Sequence, residues 1–430
     1  MSNIKNVLYM ASVQVANYIF PLITIPIVSR VFGPGNIGVI NYVAAIVGYF
    51  SLFVNYSFNY TAVRWLTRKP QDKDSLFWGV FLIQLLIFIV CTIFFVILPL
   101  VLPNLQGYTL VYYASYLSCL AALFTQNWFL QAYSDFKTIA LLSFISKLLS
   151  FILIISMIKK ESDVLAYVVV VNSVSFLLSL FVFFYSVLRY KIKFSMPGVN
   201  LINALISDGR YLFLSAVVTN LYTTTGIVLL GAMSTKTDVG FYTSAQKLMD
   251  VSKSVLLMPI SQIIFPILSR KFGFSKDEGL YSVRKILPLF SLISIGFLIF
   301  VNLFKYYIVI ILFGEKFLPI LPMVSILSVG LFAVFYGVFI GGQVMLNLGM
   351  DKAFLRIQIY IAIFSLLLNY FFIKQGGGFV TSIIWSVSEV VIALYQIIYL
   401  HINGVKIFTW SMLSPKSIIE SLKYVLKKDG

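Results

Sequence analysis

One histidine, two cysteines and 15 acidic residues are all that 430 positions hold for metal binding, cross-linking or acid–base chemistry. His401 stands near the end of the last apolar stretch, so no histidine-based metal or acid–base cluster can be assembled. Cys91 and Cys119 both lie within apolar runs, which gives neither a disulfide framework nor the paired spacing of a metal site. Packing is the role expected of them. Charge is scarce as well, at 11% of the chain against the roughly 25% of a soluble domain. A chain that is 60% hydrophobic and 17% aromatic, with a mean hydropathy of +0.96, has no means of covering a water-facing surface. The expected class is all-α and polytopic in a membrane. Other absences narrow the function. No phosphate-cradling Gly-Lys-Ser/Thr loop is present, because Gly376-Gly377-Gly378 has no lysine after it. The acids expected outside, Glu161, Asp163, Asp238 and Glu315, are scattered rather than paired to flank a glycosidic bond. No short filter-like segment suggests a channel. A secondary transporter is what remains.

What is present is apolar length. A helix needs about 20 apolar residues to cross roughly 30 Å of hydrocarbon, at about 1.5 Å per residue. Twelve stretches meet that requirement: 8–29, 39–62, 76–98, 109–131, 139–158, 164–187, 210–231, 241–268, 286–304, 318–340, 353–373 and 379–400, numbered here as spans one to twelve. The first is too long for a signal-peptide core, and Ser29-Arg30-Val31-Phe32-Gly33-Pro34 after it offers no small-residue cleavage site. It is expected to be retained. Cytoplasmic loops keep Lys and Arg, and with the N-terminus inside, 22 of the 32 fall on the cytoplasmic side, 7 outside and three within spans. Both termini are therefore expected in the cytoplasm. The net charge of +17 is then a topology signal, not a nucleic-acid footprint.

Six spans precede the basic stretch 191–209 and six follow it. This predicts an N-terminal six-helix lobe over 1–190, a cytoplasmic linker over 191–209, a C-terminal six-helix lobe over 210–400 and a basic amphipathic tail over 401–430. The lobes would be parallel repeats with a substrate site between them. An internal echo supports duplication: Asn17-Tyr18 and then Asn36-Ile37-Gly38-Val39 is matched by Asn220-Leu221-Tyr222 and then Asp238-Val239-Gly240-Phe241. In the tail, Ser414-Pro415 reads as an N-cap and first helical residue. Ile418, Ile419, Leu422, Val425 and Leu426 share a face largely opposite Lys416, Lys423, Lys427 and Lys428. Such a helix either rests on the anionic cytoplasmic leaflet or is a solvated tail.

Lipid offers no partner to a polar side chain, so a polar stripe at helical spacing should face protein or a wet cavity. Gln14, Asn17, Pro21 and Thr24 share a face in span one; Asn41, Gly48, Ser51, Asn55 and Asn59 do so in span two; Ser382, Ser386, Glu389 and Gln396 align in span twelve. Each residue alone reads as helix–helix glue, whereas the stripes together point to a cavity lining. Span eight carries most: Gln246, Lys247, Asp250, Lys253, Ser254 and Ser261 fall within an arc of about 120° at about 100° per residue. Asp250 and Lys253 lie near mid-membrane, where an ionised group costs roughly 2.5–3.5 kcal/mol on insertion scales. Asp250 can pair with Lys247 or Lys253 at i±3. One lysine is left over, which suits a phosphate or pyrophosphate. Glu389, near the middle of span twelve, is either protonated, paired or coupled to cation movement. Lys147 is close enough to the cytoplasmic end for partial snorkelling. Pro21, Pro26, Pro259 and Pro266 interrupt spans one and eight, which makes those spans candidates for moving parts.

The run Val13-Gln14-Val15-Ala16-Asn17-Tyr18, through Pro21 and Pro26 to Ser29-Arg30-Val31-Phe32-Gly33-Pro34 and Gly38, resembles Wzx-type flippases for polysaccharide repeat units. So do Trp128-Phe129-Leu130-Gln131 at the end of span four and Val239-Gly240-Phe241-Tyr242-Thr243-Ser244-Ala245 at the opening of span eight. These flippases belong to the multidrug/oligosaccharidyl-lipid/polysaccharide exporter superfamily, and the resemblance extends over nearly the whole chain. It implies a MATE-like fold of twelve helices in two six-helix lobes around a central cavity, in the bacterial cytoplasmic (inner) membrane. It also implies translocation of an undecaprenyl-pyrophosphate-linked oligosaccharide to the outer leaflet for O-antigen or capsule assembly. The chain would act as a monomer among other polysaccharide-assembly membrane proteins. The basic cavity positions that the resemblance assigns are Lys247, Lys253 and Arg30; an arginine-rich cavity is not evident. Gln14, Asn17, Asn41, Asn55 and Gln246 are the expected polar lining. No cofactor or metal is expected, and coupling to a proton or sodium gradient is expected at Asp250 or Glu389. The rivals are a MATE-type drug or cation antiporter, whose substrates would favour an acidic cavity, and a membrane-embedded glycan polymerase or ligase, against which the short outer loops argue.

Overall fold

The computed structural model describes the backbone of residues 2–408 and 414–426; within these, the side chains at 2–8, 10–12, 14–18, 222, 258, 262–263, 425 and 426 lie outside the description. Every regular element among the described residues is a helix. Ten are long and apolar enough to cross a membrane, so the chain is a multi-pass membrane protein. Two of the ten exceed one crossing, Ile19–Arg68 with 50 residues and Asp351–Ile402 with 52, where about 20 suffice. Each breaks at glycine. In Ser2–Asn55 the break is Gly33 (φ 67°, ψ 176°), a conformation that a Cβ disfavours. Pro34 follows as the first residue of the next arm, where a missing N–H costs nothing. In Asp351–Ile402 the break is Gly376–Gly377, with Gly377 at φ 51°. Each of the two therefore divides into two apolar arms, joined by a kink rather than a loop.

Two boundaries differ from expectation. Span two ends at Asn55, because Tyr56 and Ser57 take left-handed φ values of 42° and 64°. Phe58–Arg68 is a separate amphipathic helix that buries Phe58, Thr61, Ala62 and Leu66, and Asn59 on it is exposed rather than continuing the polar face of span two. Span nine lies within Lys276–Leu312, whose 37 residues reach about 56 Å, well beyond 286–304 at both ends.

Contact density groups the chain into two compact units, Met1–Gly240 with Leu312–Lys316, and Phe241–Ile311 with Phe317–Gly430. The first is built on aromatic packing. Trp128, Phe129 and Leu130 are buried, with Phe77 centred 5.3 Å from Phe129 and 5.4 Å from Phe183. Cys91 and Cys119 are free and buried, as packing residues should be. The internal echo meets itself here. A Cβ on Gly38 would stand 1.7 Å from the Lys236 carbonyl oxygen, and one on Gly240 would stand 1.8 Å from that of Pro34. Each glycine therefore faces the carbonyl four residues before the other, a reciprocal backbone crossing that only hydrogen at Cα permits.

The second unit contains two π-helical segments, Lys253–Leu257 in span eight and Val338–Met345 in span ten. Span ten lies against span twelve, where the Ser386 hydroxyl donates to the Ile326 carbonyl at 2.8 Å. The tail helix Pro415–Leu426 is capped as expected, with the Ser417 N–H donating to the Ser414 hydroxyl at 3.2 Å. It docks on Lys276–Leu312. Lys285 Nζ stands 2.8 Å from Glu420 Oε2, and the Ser282 and Tyr424 hydroxyls share a hydrogen bond of 2.8 Å. Fully buried Ser421 accepts from the Leu289 N–H at 3.2 Å and donates to the Ile286 carbonyl at 3.3 Å. The hydroxyl thus ties the tail to the backbone of Lys276–Leu312 on either side of Pro288. Ile419 and Leu422 of the expected apolar face remain exposed.

Candidate functional site

Of the charges expected within the spans, Lys147 belongs to the first unit, and Lys247, Asp250, Lys253 and Glu389 to the second. Lys253 opens the π turn of span eight, and its ammonium stands 3.3 Å from Asp250 Oδ1, an i,i+3 pair. The same ammonium lies 5.0 Å from the centre of the Trp385 ring on span twelve, a contact worth about 0.5–1 kcal/mol in water and ~2 when desolvated. Glu389, one turn beyond Trp385, is within electrostatic reach of Lys253 and of the buried Tyr242. Lys247 is exposed one turn before Asp250 and makes no ion pair among the described residues. The π turn begins at Lys253 and shifts the helical phase of the residues that follow; such bulges occur frequently at functional sites.

The charge balance differs from the one expected along span eight alone. Asp250 takes Lys253 as its partner, but Glu389 adds a second acid. With Glu389 ionised, Lys247, Asp250, Lys253 and Glu389 balance; with Glu389 protonated, they carry one net positive charge. Trp385 is the residue that sequence reasoning missed. It sits on the same turn as Ser386 and four residues before Glu389, so its position in the stripe was available, but a search for polar side chains passes over an indole. Gln396, two turns further, is fully buried with neither amide atom hydrogen-bonded, and it packs against Gly341, where a Cβ would come within 2.7 Å of its Nε2.

The other expected positions are dispersed. Gln246 is buried, 8% exposed, beside exposed Lys247. Arg30 belongs to the first unit, exposed at the end of span one, with its side chain along Gly314. Asn41 is half-buried. Asn55 is also half-buried, and its amide donates to the Ser51 carbonyl of its own helix at 2.8 Å. Gln14 and Asn17 lie outside the described side chains. No group of three or more His, Cys, Asp or Glu close enough to share a metal ion occurs among the described residues.

The family model described as polysaccharide biosynthesis protein matches residues 4–272, more than half of the chain. A relative from Escherichia coli (strain K12) named "Putative O-antigen transporter" is 27% identical over 372 residues, covering 85% of this chain and 89% of its own length. A relative of the same name from Shigella dysenteriae is 27% identical over 289 residues, covering 65% and 71%. Among solved structures, the lipid II flippase MurJ in an inward closed conformation matches with a TM-score of 0.66 at 14% identity, over 98% of this chain and 97% of its own. A multidrug resistance MATE family transporter in an inward-facing conformation matches with a TM-score of 0.66 at 14% identity, over 93% and 94%. At such identity the likeness establishes the fold, which is the all-helical, MATE-like architecture.

Proposed function

The chain belongs to the polysaccharide biosynthesis protein family, and on that premise we propose that it is a transporter, not an enzyme, which flips a lipid-linked oligosaccharide across the bacterial cytoplasmic membrane. The carrier lipid is undecaprenyl pyrophosphate, and the cargo is a repeat unit for O-antigen or capsule. One observation carries this reading. Lys253 is held at mid-span by Asp250 on one side and the Trp385 face on the other, with Lys247 exposed a turn and a half away. An ammonium fixed in this way is oriented before an anion arrives, which lowers the ordering cost of binding.

Transport proceeds by alternating access, in which the six-span lobes 1–190 and 210–400, joined by 191–209, rock about a midplane site. The diphosphate docks on Lys253 and Lys247, the sugars bind polar side chains, and the lipid tail stays in the bilayer. The diphosphate and the Glu389 carboxylate compete for Lys253. Linkage then ties anion binding to protonation of Glu389, and coupling to a proton or sodium gradient passes through Glu389 or Asp250. Both termini are cytoplasmic, and the monomer is the working unit.

Export of an organic cation is the second reading, since Trp385 with Asp250 and Glu389 would make a cation site. The Lys253 ammonium already occupies the indole, which speaks against it. The test is complementation of a deletion strain. Loss of surface glycan and accumulation of lipid-linked repeats on the inner leaflet are expected for the deletion and for Lys253→Met, with recovery in Lys253→Arg. Normal surface glycan in the deletion strain overturns the function. Normal glycan in a Lys247→Met, Lys253→Met double variant overturns the site.

A further inference from the structure

Two hollows adjoin one another in the first unit, and Val39 and Tyr108 line both. The smaller, of about 190 Å³, runs from Gly38 and Tyr42 to Asn104, Ser234 and Lys236. The larger, of about 440 Å³, is bounded by Asn36, Gln106, Thr109, Glu161 and Ser162, and falls within the roughly 300–1,000 Å³ typical of ligand pockets. All of these residues lie in or beside the connections that the charge distribution assigns to the outer face of the membrane.

The chemistry of the walls is specific. In each hollow an asparagine amide is oriented by the chain itself: Asn104 Nδ2 donates to the Gly231 and Ala232 carbonyls at 3.1 and 2.9 Å, and Asn36 Nδ2 donates to the Glu161 carbonyl at 3.2 Å. Asn104 has its carbonyl oxygen left to offer, and Asn36 its carbonyl oxygen and one N–H, groups that accept from and donate to hydroxyls. The Tyr108 hydroxyl accepts from Lys236 Nζ, whose ammonium lies 5.2 Å from the ring centre. The ring is thereby held as the partition between the two hollows. Tyr42 lines the smaller one, is 5% exposed, and has a buried hydroxyl without a hydrogen-bond partner. Cationic Lys236 lines one hollow and anionic Glu161 the other, where Glu161 is paired with Lys316 at 2.9 Å. An anion is therefore not favoured overall, and amides and hydroxyls do not suit an acyl chain.

We infer that these hollows form a saccharide-binding groove on the outer face, with two subsites for neutral, hydroxyl-rich sugar rings on either side of Tyr108. The groove takes the glycan of the cargo as it emerges; this assignment of cargo and face rests on the flippase reading above. The same chemistry would accept sugars of the finished polymer, and the experiment separates the two.

Both native cysteines are buried, so Thr109→Cys introduces the one readily reactive thiol. Spheroplasts carrying it are treated with a membrane-impermeant maleimide, alone or with one of three additions: the lipid-free repeat oligosaccharide released by mild acid from the strain's own surface polysaccharide, the intact polysaccharide, or mannitol. Labelling slowed several-fold by the free repeat unit but not by mannitol is the expected result, with the protection lost in Tyr108→Ala. Protection by the polymer but not by the repeat unit overturns the cargo assignment. Absence of labelling, equal rates with and without saccharide, or protection unchanged in Tyr108→Ala overturns the groove. Because Tyr108→Ala can unfold the chain, saturation-transfer NMR of the repeat unit with the unaltered protein in nanodiscs supplies an independent measure, and no transfer refutes binding. The deletion strain keeps the two readings apart: lost surface glycan with no protection removes the groove alone, whereas protection with normal surface glycan in the deletion strain removes the flippase alone.

Discussion

Replacing Gly38 by alanine tests the reciprocal crossing directly. The added Cβ would lie 1.7 Å from the Lys236 carbonyl oxygen and 2.8 Å from the Gly240 nitrogen. Real Cβ atoms come no closer than 3.0 Å, so the helices must part by about 1.3 Å at this point. The atoms in the way are backbone in a regular helix and cannot rotate aside as a side chain would. Overpacking of this kind costs roughly 1–3 kcal/mol, with the upper end expected here, and the gain in helix propensity from glycine to alanine returns only about 1 kcal/mol. A net loss of about 2 kcal/mol follows. Gly48, on the same arm, has nothing within 4 Å of its hypothetical Cβ, so Gly48→Ala should gain up to about 1 kcal/mol. The assay is thermal unfolding in detergent, followed by a thiol-reactive fluorogenic dye that reaches Cys91 and Cys119 only when the chain opens. Gly38→Ala should unfold several degrees below Gly48→Ala, and Gly240→Ala should behave like Gly38→Ala. The double variant should lose less than the sum, because one separation accommodates both methyl groups. If Gly38→Ala and Gly48→Ala melt together, the crossing is not where this reasoning puts it.

Four further outcomes are expected. Glu389→Gln should tighten binding of a short-chain diphosphate lipid by about tenfold, roughly the 1.4 kcal/mol of one charge-assisted contact, and the gain should vanish in a Lys253→Met background; equal gains in both backgrounds refute competition for Lys253. Trp385→Leu should weaken the same binding by about 2–5-fold, from ~0.5–1 kcal/mol of lost cation–π support, and unchanged binding in isothermal titration refutes the supporting role. Gln396→Leu should raise the unfolding temperature, since both amide atoms are buried without partners and each such group costs roughly 1–3 kcal/mol; a marked decrease shows that the amide is needed. The hydrogen bond from Lys285 holds the Glu420 carboxyl below the usual carboxylate range. Its contribution to tail docking is therefore complete above that range and is lost as pH falls through the folded value, so protease access at Lys416 should be constant from pH 8 to 6 and rise only below about pH 4. A rise between pH 8 and 6 contradicts this assignment.

Much of the architecture is legible in hydropathy, because a bilayer demands about 20 apolar residues wherever a helix crosses it. The joins are less so. Gly33 and Gly376–Gly377 turn the chain within one or two residues, whereas composition suggests loops. The Asp250–Lys253 pair follows from i,i+3 spacing, but the approach of Trp385 and Glu389 depends on how two distant helices pack. The echo of Gly38 in Gly240 is visible as a pattern, yet nothing in one dimension says that the two copies touch. In the tail, the apolar face is readable. The docked residues are instead Glu420, Ser421 and Tyr424, polar side chains that a search for an apolar face passes over.

That docking contact has a consequence for how the protein is made. Leu289 and Ser421 are separated by 132 residues, so Lys276–Leu312 is complete long before the segment that docks on it, Pro415–Leu426, leaves the ribosome. A chain halted in that interval, or one fused to a tag that displaces Pro415–Leu426, leaves the docking face around Leu289 uncovered, and quality-control proteases would recognise it there.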